Sequence, residues 1–133
     1  MILLDTHTLV WLAKGDPSLG EKALKAIDAA QVAGELAVSA ITFWELAMLT
    51  ERGRLDLAVP PLAWRQGLIS KGLREIAVDG DVGITAAGLQ GFHGDPADRL
   101  IAATALVMGG ILATADRQIL EWKSTLQRLD ARR

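Results

Sequence analysis

The sequence predicts an α/β protein: a three-layer α/β/α sandwich around a parallel central sheet of about five strands. Its strand candidates are short, fully apolar runs, which is typical of parallel strands that are buried on both faces. Helical segments separate successive runs, so right-handed crossovers rather than hairpins should join the strands. The chain has 133 residues, half of them hydrophobic, and we therefore expect one compact domain spanning residues 1–133.

The predicted strands are bounded by glycine or charged residues. Four of them are well defined: Ile2–Leu4, Leu36–Ser39, Glu75–Val78 and Ile111–Thr114. A weaker pattern near Thr125–Leu129 predicts the fifth strand.

Helix-forming segments fill the intervals between the strands. They are Ser18–Val32, Thr42–Arg52, Pro61–Gly72, Asp81–Leu89 and Pro96–Met108. Gly53 and Gly72 are predicted to end two of these helices, because glycine readily adopts the left-handed conformation that closes a helix. The segment Gly91–Gly94 is predicted to be a loop.

Composition excludes several classes of function. Cysteine is absent, which removes disulfides, thiolate metal sites and cysteine nucleophiles. A net charge of −2 argues against a broad basic surface, so a nucleic-acid partner would be held by a local patch and by metal. Asp5 interrupts the apolar N-terminus, and no run reaches the roughly 20 apolar residues of a spanning helix. We therefore expect a soluble, cytoplasmic protein with no export signal.

Four acidic residues fall where parallel strands end or the next helices begin: Asp5, Glu45, Asp98 and Asp116. Ligands of open parallel sheets bind at the carboxyl ends of strands, so we expect these side chains to meet there. Carboxylates gathered in a half-buried cleft repel one another unless they take up protons or a hard divalent cation. Oxygen ligands suit Mg²⁺, with Mn²⁺ as the alternative, and such a site can activate water for phosphodiester hydrolysis.

Each acid also has a structural interpretation as part of a helix cap. Thr42 and Glu45 fit a capping box, and the other acids beside strand ends can cap the helices that follow them. Asp95 before Pro96 fits an N-cap followed by the first helical position. A capping Asp95 would bind backbone amides and leave Asp98 free to enter the cleft, so Asp98 is the preferred site residue.

Other polar residues near these acids have both functional and structural interpretations. Thr6 and Thr114 could hydrogen-bond the carboxylates, although satisfying their own backbone is the favoured interpretation. His7 and His93 are interpreted as structural hydrogen-bonding residues rather than catalytic groups. The arginines that follow two of the acids, Arg99 and Arg117, could contact substrate phosphate or form local ion pairs.

Two tryptophans and the predicted helix around Glu45 are expected to be buried in the core or in an interface. Trp11 and Trp44 lie in apolar helical stretches and are expected to fill the core or a dimer interface rather than to stack on bases. The segment Phe43–Leu49 is apolar almost all round, which favours burial on two sides and a partner subunit.

Five blocks of sequence, taken in order, resemble the PIN-domain ribonucleases, and specifically the VapC-type toxins of toxin–antitoxin pairs. The blocks are Met1–Thr8, Val38–Glu45, Gly53–Leu55, His93–Ala103 and Leu112–Asp116. The resemblance covers nearly the whole chain. It implies a five-stranded parallel sheet, a homodimer, and a cognate antitoxin that covers the active site and through which alone operator DNA is bound.

The resemblance also implies an activity and a site. The activity would be Mg²⁺- or Mn²⁺-dependent endonucleolytic cleavage of RNA by a metal-activated water, leaving a 5′-phosphate. Asp5, Glu45, Asp98 and Asp116 would form the acidic site. Asp5 and Asp98 are the preferred direct metal ligands, and the other two acids would complete or orient the ligand set.

Two rival functions stay open from the sequence. A haloacid-dehalogenase-like phosphatase would have a second acid two residues after Asp5, where this chain has His7, which argues against it. A non-catalytic module that binds RNA or regulates an operator would not need all four acids.

Overall fold

The computed structural model describes all residues 1–133 and contains five strands and seven helices. In chain order these are β1 (Ile2–Leu4), α1 (Thr6–Lys14), α2 (Glu21–Val32), β2 (Leu36–Ser39), α3 (Ala40–Glu51), α4 (Pro61–Ser70), β3 (Arg74–Ile76), α5 (Gly80–Ala87), α6 (Pro96–Met108), β4 (Ile111–Thr114), α7 (Arg117–Leu120) and β5 (Gln127–Asp130). No helix has the length and apolar character needed to cross a membrane.

The five strands form one sheet in the order β3-β2-β1-β4-β5, and every pairing is parallel. The first strand of the chain lies at the centre, where Leu3 is in register with Ala37 on one side and Leu112 on the other. The structure confirms the predicted parallel, five-stranded α/β/α architecture.

Hydrophobic clusters cover both faces of the sheet. Because successive strand residues point to opposite faces, the neighbours Leu3 and Leu4 belong to different clusters, and both are completely buried. Leu4 packs with Leu9 of α1 and Ile27 of α2, whereas Leu3 packs with Ile101 of α6. Burial on both sides explains why the central strand β1 contains no polar residue, unlike the edge strands β3 and β5.

The strands next to the centre begin and end where the sequence predicts, and so does α6. β3 and β5 differ by one or two residues from the predicted ranges, and most helices are a few residues shorter. Gly53 and Gly72 follow the ends of α3 and α4 with φ of 69° and 100°, which confirms their predicted role in ending these helices.

The predicted capping box of α3 is wrong. The helix begins two residues earlier than predicted, because the Ser39 hydroxyl oxygen accepts the backbone N–H of Ile41 at 3.2 Å and acts as the N-cap. Thr42 is therefore inside the helix, and Glu45 lies in its second turn, where it has no terminal amide to cap. The Glu45 carboxylate is free to reach another element.

The segment after β5 is held against the start of α2. The backbone N–H groups of Gly20 and Lys22 donate to the carbonyl oxygens of Ala131 and Arg133, each at 2.9 Å. A Cβ at position 20 would lie only 2.1 Å from the carbonyl carbon of Arg133. Only glycine allows this close approach, so residues 131–133 are fixed in place rather than trailing from the sheet.

Candidate metal centre

The carboxyl ends of the central strands open into a cavity of about 380 Å³. Its lining consists of five acids, one arginine and three other residues: Asp5, Glu45, Asp95, Asp98, Asp116, Arg132, His7, Trp11 and Ala115. All four acids predicted from the sequence are in this lining. The cavity also includes Asp95, which the sequence assigned to a helix cap.

The four predicted acids reach the cavity from different elements. Asp5 follows β1 and caps α1, and Asp116 follows β4 and caps α7. Asp95 caps α6 by accepting the backbone N–H of Asp98 at 3.1 Å, which puts Asp98 in the first turn as predicted. Glu45 comes from the second turn of α3. Three of the five cavity acids, Asp5, Asp95 and Asp116, are therefore also helix caps, so the two interpretations of the sequence are compatible for these residues.

Asp5 is 7% exposed, and the protein hydrogen-bonds both of its carboxylate oxygens. The backbone N–H of Thr6 donates to Oδ1 at 2.8 Å, and the Thr114 hydroxyl donates to Oδ2 at 2.6 Å. The same Thr114 oxygen accepts the backbone N–H of Asp116 at 3.0 Å. Thr114 therefore couples two of the acids, which corrects the expectation that it only satisfies its own backbone.

A second threonine orients Glu45. The Thr6 hydroxyl lies 2.5 Å from Glu45 Oε1 and donates to it, and its oxygen is 3.1 Å from that of Thr42. The expectation for Thr6 was likewise wrong, because its hydroxyl bridges to another helix instead of its own backbone. The two threonines that the sequence left outside the site thus hold two of its carboxylates, those of Asp5 and Glu45.

Asp98 is oriented by a histidine. His93 Nε2 lies 2.7 Å from Asp98 Oδ2, and since an ionised carboxylate can only accept, the nitrogen donates. The imidazole stacks on Phe92 with centroids 4.4 Å apart. His93 is not part of the cavity lining, but a ring nitrogen lies within 4.8 Å of carboxylate oxygens of both Asp98 and Asp116, and the interpretation of His93 as a structural residue stays a prediction.

Arg99 holds the loop that carries His93. Its guanidinium donates to the carbonyl oxygens of five residues, at 3.0–3.4 Å: Ala86, Ala87, Leu89, Phe92 and His93. Arg99 therefore does not form the local ion pair considered from the sequence, and its guanidinium N–H donors are all used inside the protein. Its charge is committed to organising the loop.

Burial and mutual repulsion raise the proton affinity of the cavity acids. Desolvation is the main cause that raises the pKa of Asp98 to about 6, with further increases from Asp5, Asp95 and Glu45. Burial also raises the pKa of the Asp5 and Glu45 carboxyls. Hydrogen bonds to these carboxylates act in the opposite direction and do not overcome desolvation.

The donor set fits a hard divalent cation. None of the five acids forms an ion pair with lysine or arginine, so their negative charge is not neutralised by the protein. Glu45, Asp98 and Asp116 each have one oxygen fixed by a hydrogen bond and one without a protein donor. Anchored carboxylates with a free oxygen are what a cation such as Mg²⁺ or Mn²⁺ requires.

The side chains do not all converge on a single point. One group of three potential ligands has its ligand atoms within 4.8 Å of one another, namely His93, Asp98 and Asp116. Asp5 and Glu45 lie in the same cavity outside that group.

Comparison with known proteins assigns the family. The profile of the PIN domain matches residues 2–123. The chain belongs to the PIN-domain family. A curated relative, Ribonuclease VapC22 of Mycobacterium tuberculosis, is 43% identical over 119 residues, which cover 89% of this chain and 88% of that protein. The resemblance to VapC-type proteins found in the sequence is thereby confirmed.

Solved structures share the PIN fold. DNA-bound VapBC from Salmonella typhimurium superposes with a TM-score of 0.72, at 25% identity and with 96% of each chain covered. VapBC2 from Rickettsia felis, bound to a DNA fragment from its promoter, gives a TM-score of 0.73 at 18% identity, with 97% and 98% of the chains covered.

Proposed function

We propose that this PIN-domain protein is the toxin of a toxin–antitoxin pair and that it acts as a Mg²⁺- or Mn²⁺-dependent endoribonuclease. The observation that carries the proposal is an open, half-buried cavity lined by five carboxylates, none of which forms an ion pair with arginine or lysine. The 43% identity to a protein named as a VapC ribonuclease supports RNA as the substrate. In this proposal residues 1–133 form one nuclease domain.

Asp5, Glu45, Asp98 and Asp116 are the proposed catalytic and metal-binding residues. When bound, a divalent cation supplies positive charge that lowers the pKa of a nearby water and offsets charge developing on the phosphodiester as its P–O bond breaks. The anchored oxygens of Glu45, Asp98 and Asp116 hold these carboxylates in fixed orientations, so little reorganisation is needed when substrate arrives. Asp5, at the bottom of the cavity, contributes charge from the most buried position.

The raised pKa of Asp98, about 6, belongs to the metal-free protein. A divalent cation bound beside these carboxylates would favour their ionised form and so lower their pKa values. No protein nucleophile is required, because water is the attacking group in the proposed hydrolysis.

We infer an antitoxin partner from the structural relatives, which are VapBC complexes, two of them solved with DNA. In this arrangement the chain reaches operator DNA only through the antitoxin. A homodimer, and a heterotetramer or larger assembly with antitoxin, is supported by Trp44 on α3, which is 54% exposed in the isolated chain. The proposed place of action is the cytoplasm, where its RNA substrate is found.

The decisive experiment uses purified, antitoxin-free protein. RNA should be cleaved in Mg²⁺ or Mn²⁺ and remain intact in excess chelator. Asp98→Asn should lower the cleavage rate by about 100-fold or more and weaken Mn²⁺ binding in calorimetry, because it removes a charged ligand while keeping the shape of the side chain.

Asp28→Asn is the matched control for this variant. Asp28 is an exposed residue of α2 outside the cavity, so its replacement should leave both cleavage and Mn²⁺ binding unchanged. Cleavage that continues in chelator, or that is equally fast in Asp98→Asn, would refute the metal-dependent mechanism. RNA that is bound without being cut in either metal would favour a binding module.

A further inference from the structure

We propose that Arg132 binds a phosphate of the RNA substrate at the mouth of the acidic cavity. The inference rests on the proposed ribonuclease function and deepens it, because it names the residue that recognises the anionic backbone. Arg132 lies sixteen positions beyond the last acid of the site, in the segment after β5, and carries none of the local motifs that mark the carboxylates.

The negative charge of the cavity opposes the binding of RNA, whose backbone is also negatively charged. Five carboxylates line it, and an approaching phosphodiester is repelled by every one that stays ionised. Arg132 is the only lysine or arginine in the lining. It forms no ion pair, so its positive charge is not consumed by the acids beside it.

The Arg132 side chain is held at the cavity by two weak contacts. Its guanidinium carbon lies 5.9 Å from the centroid of the Trp11 ring, and Nη1 donates to the carbonyl oxygen of Ala115 at 3.4 Å. One of the five guanidinium N–H groups is therefore used, and the others are available. A planar, largely unpaired guanidinium matches the oxygens of a phosphate with two parallel hydrogen bonds.

Backbone hydrogen bonds fix the position of Arg132, and none of them is accepted by a carboxylate of the cavity. The N–H of Arg132 donates to Asp130 Oδ1 at 3.0 Å, and the N–H of Ala131 donates to the carbonyl oxygen of Thr114 at 2.9 Å. The close packing on Gly20 anchors the same segment from the other side. The guanidinium is thus presented by an ordered segment, which reduces the entropy lost when it binds a ligand.

The other arginines near the acids are not equivalent. Arg99 is saturated by carbonyl oxygens, as described above. Arg117 lines a separate surface depression together with Arg128 and Arg133, outside the acidic cavity. Arg133 is the immediate neighbour of Arg132, is 78% exposed and pairs with Asp130, and so it provides a control with an identical change in net charge.

The test compares wild type, Arg132→Ala, Arg132→Lys and Arg133→Ala. Binding of a fluorescein-labelled single-stranded RNA is followed by anisotropy in Ca²⁺ over a range of KCl concentrations, and kcat and KM are measured in Mn²⁺. We expect Arg132→Ala to weaken RNA binding and raise KM about 10-fold, and to reduce the salt slope of log K by about 0.7, as for one lost phosphate contact. Arg132→Lys should recover part of the loss, and Arg133→Ala should remain within about twofold of wild type.

Mn²⁺ affinity should not fall together with RNA affinity in Arg132→Ala, and this difference is a second readout. Removing a positive charge beside the carboxylates should leave Mn²⁺ binding unchanged or make it tighter, while RNA binding becomes weaker. Equal RNA affinities and salt slopes in the two alanine variants would overturn the inference, as would a loss of Mn²⁺ binding in Arg132→Ala that accounts for its lower activity. If wild type binds RNA through Arg132 but never cleaves it, the ribonuclease proposal fails while the phosphate contact stands.

Discussion

Two fully buried threonine hydroxyls differ in a single respect that the free energy of unfolding should reveal. In α1, Thr8 Oγ1 has no hydrogen-bond partner, whereas in α6 Thr104 Oγ1 donates to the carbonyl oxygen of Leu100 at 2.7 Å. An unpaired buried hydroxyl costs free energy that a methyl group of similar shape does not.

Thr8→Val should therefore raise the free energy of unfolding by about 1 kcal/mol, and Thr104→Val should lower it by about 1 kcal/mol. Both changes occur inside helices and alter helix propensity equally, so each is the control for the other. Urea denaturation followed by circular dichroism measures the two effects. A loss of stability in Thr8→Val would show that its hydroxyl is satisfied after all.

The hydrogen bond between His93 and Asp98 makes a separate prediction. Removing the imidazole leaves Asp98 free to rotate, and loss of such a supporting contact typically weakens metal affinity by about 10–100-fold. We expect this loss of Mn²⁺ affinity in His93→Ala by calorimetry, with a partial recovery in His93→Gln, whose side-chain amide can still donate. Unchanged Mn²⁺ affinity in His93→Ala would argue that Asp98 is held by its own helix.

At the scale of single residues, local chemistry predicted the acids but not what holds them. The N-cap role of Asp95 followed from capping geometry and needed no tertiary information, whereas the presence of Asp95 in the cavity beside Asp98 did not follow from it. The contact between Thr114 and Asp5 joins residues 109 positions apart, so no local pattern contains it. Arg132 escaped prediction for the same reason, because only the packing of its segment brings it to the cavity.

At the scale of elements, the sequence predicted the ends of the three buried strands β1, β2 and β4 correctly, but it predicted the wrong first residue for α3. β1 is followed directly by Asp5, and the apolar runs of β2 and β4 each end at a hydroxyl residue, Ser39 or Thr114, as the printed sequence shows. The sequence predicted Thr42 as the cap of α3. In the structure Ser39, three residues earlier, accepts the backbone N–H of Ile41 and caps the helix, so Thr42 lies inside it.

Two glycines in or beside helices should respond to alanine in opposite directions. At Gly20 a new Cβ would overlap backbone atoms of residues 132 and 133, so Gly20→Ala should destabilise the protein by about 1–3 kcal/mol through overpacking. Gly67 lies inside α4 with open space around its Cα, and Gly67→Ala should stabilise by up to about 1 kcal/mol. Melting temperatures from calorimetry compare the two.

Gly20→Ala should also affect the cavity, since the displaced segment carries Arg132. We expect weaker RNA binding in this variant than in Gly67→Ala. If RNA affinity is unchanged although stability falls, the position of Arg132 does not depend on the packing at Gly20.

At the scale of the whole molecule, the acidic cavity should govern how stability depends on pH. A carboxyl whose pKa is raised on folding binds protons more strongly in the folded state, so stability is gained as the pH falls through the folded pKa. Asp98, with a pKa of about 6, should therefore make the metal-free protein about 1 kcal/mol more stable at pH 5.5 than at pH 7.5. Asp5 and Glu45 act in the same direction.

A carboxyl whose pKa is lowered on folding changes stability only at a pH below the range from 5.5 to 7.5. Arg65 holds the pKa of the Glu75 carboxyl below its usual range, so the stability from this ion pair is lost only in more acidic solution. Thermal melts in chelator between pH 5.5 and 7.5 measure the effect, and saturating Mn²⁺ should reverse its sign because cations compete with protons for the same oxygens. A metal-free melting temperature that rises with pH would contradict the assignment of desolvated acids.

The central position of β1 has a consequence for how the protein is made. The first strand to leave the ribosome must wait for β4, more than a hundred residues later, before both of its edges are paired. The cavity cannot close around Asp5 until Thr114 and Asp116 have emerged, and Arg132 follows later still. The acidic cavity therefore assembles late in translation: a chain that has been synthesised only as far as β3 contains Asp5 and Glu45 but lacks Asp98 and Asp116.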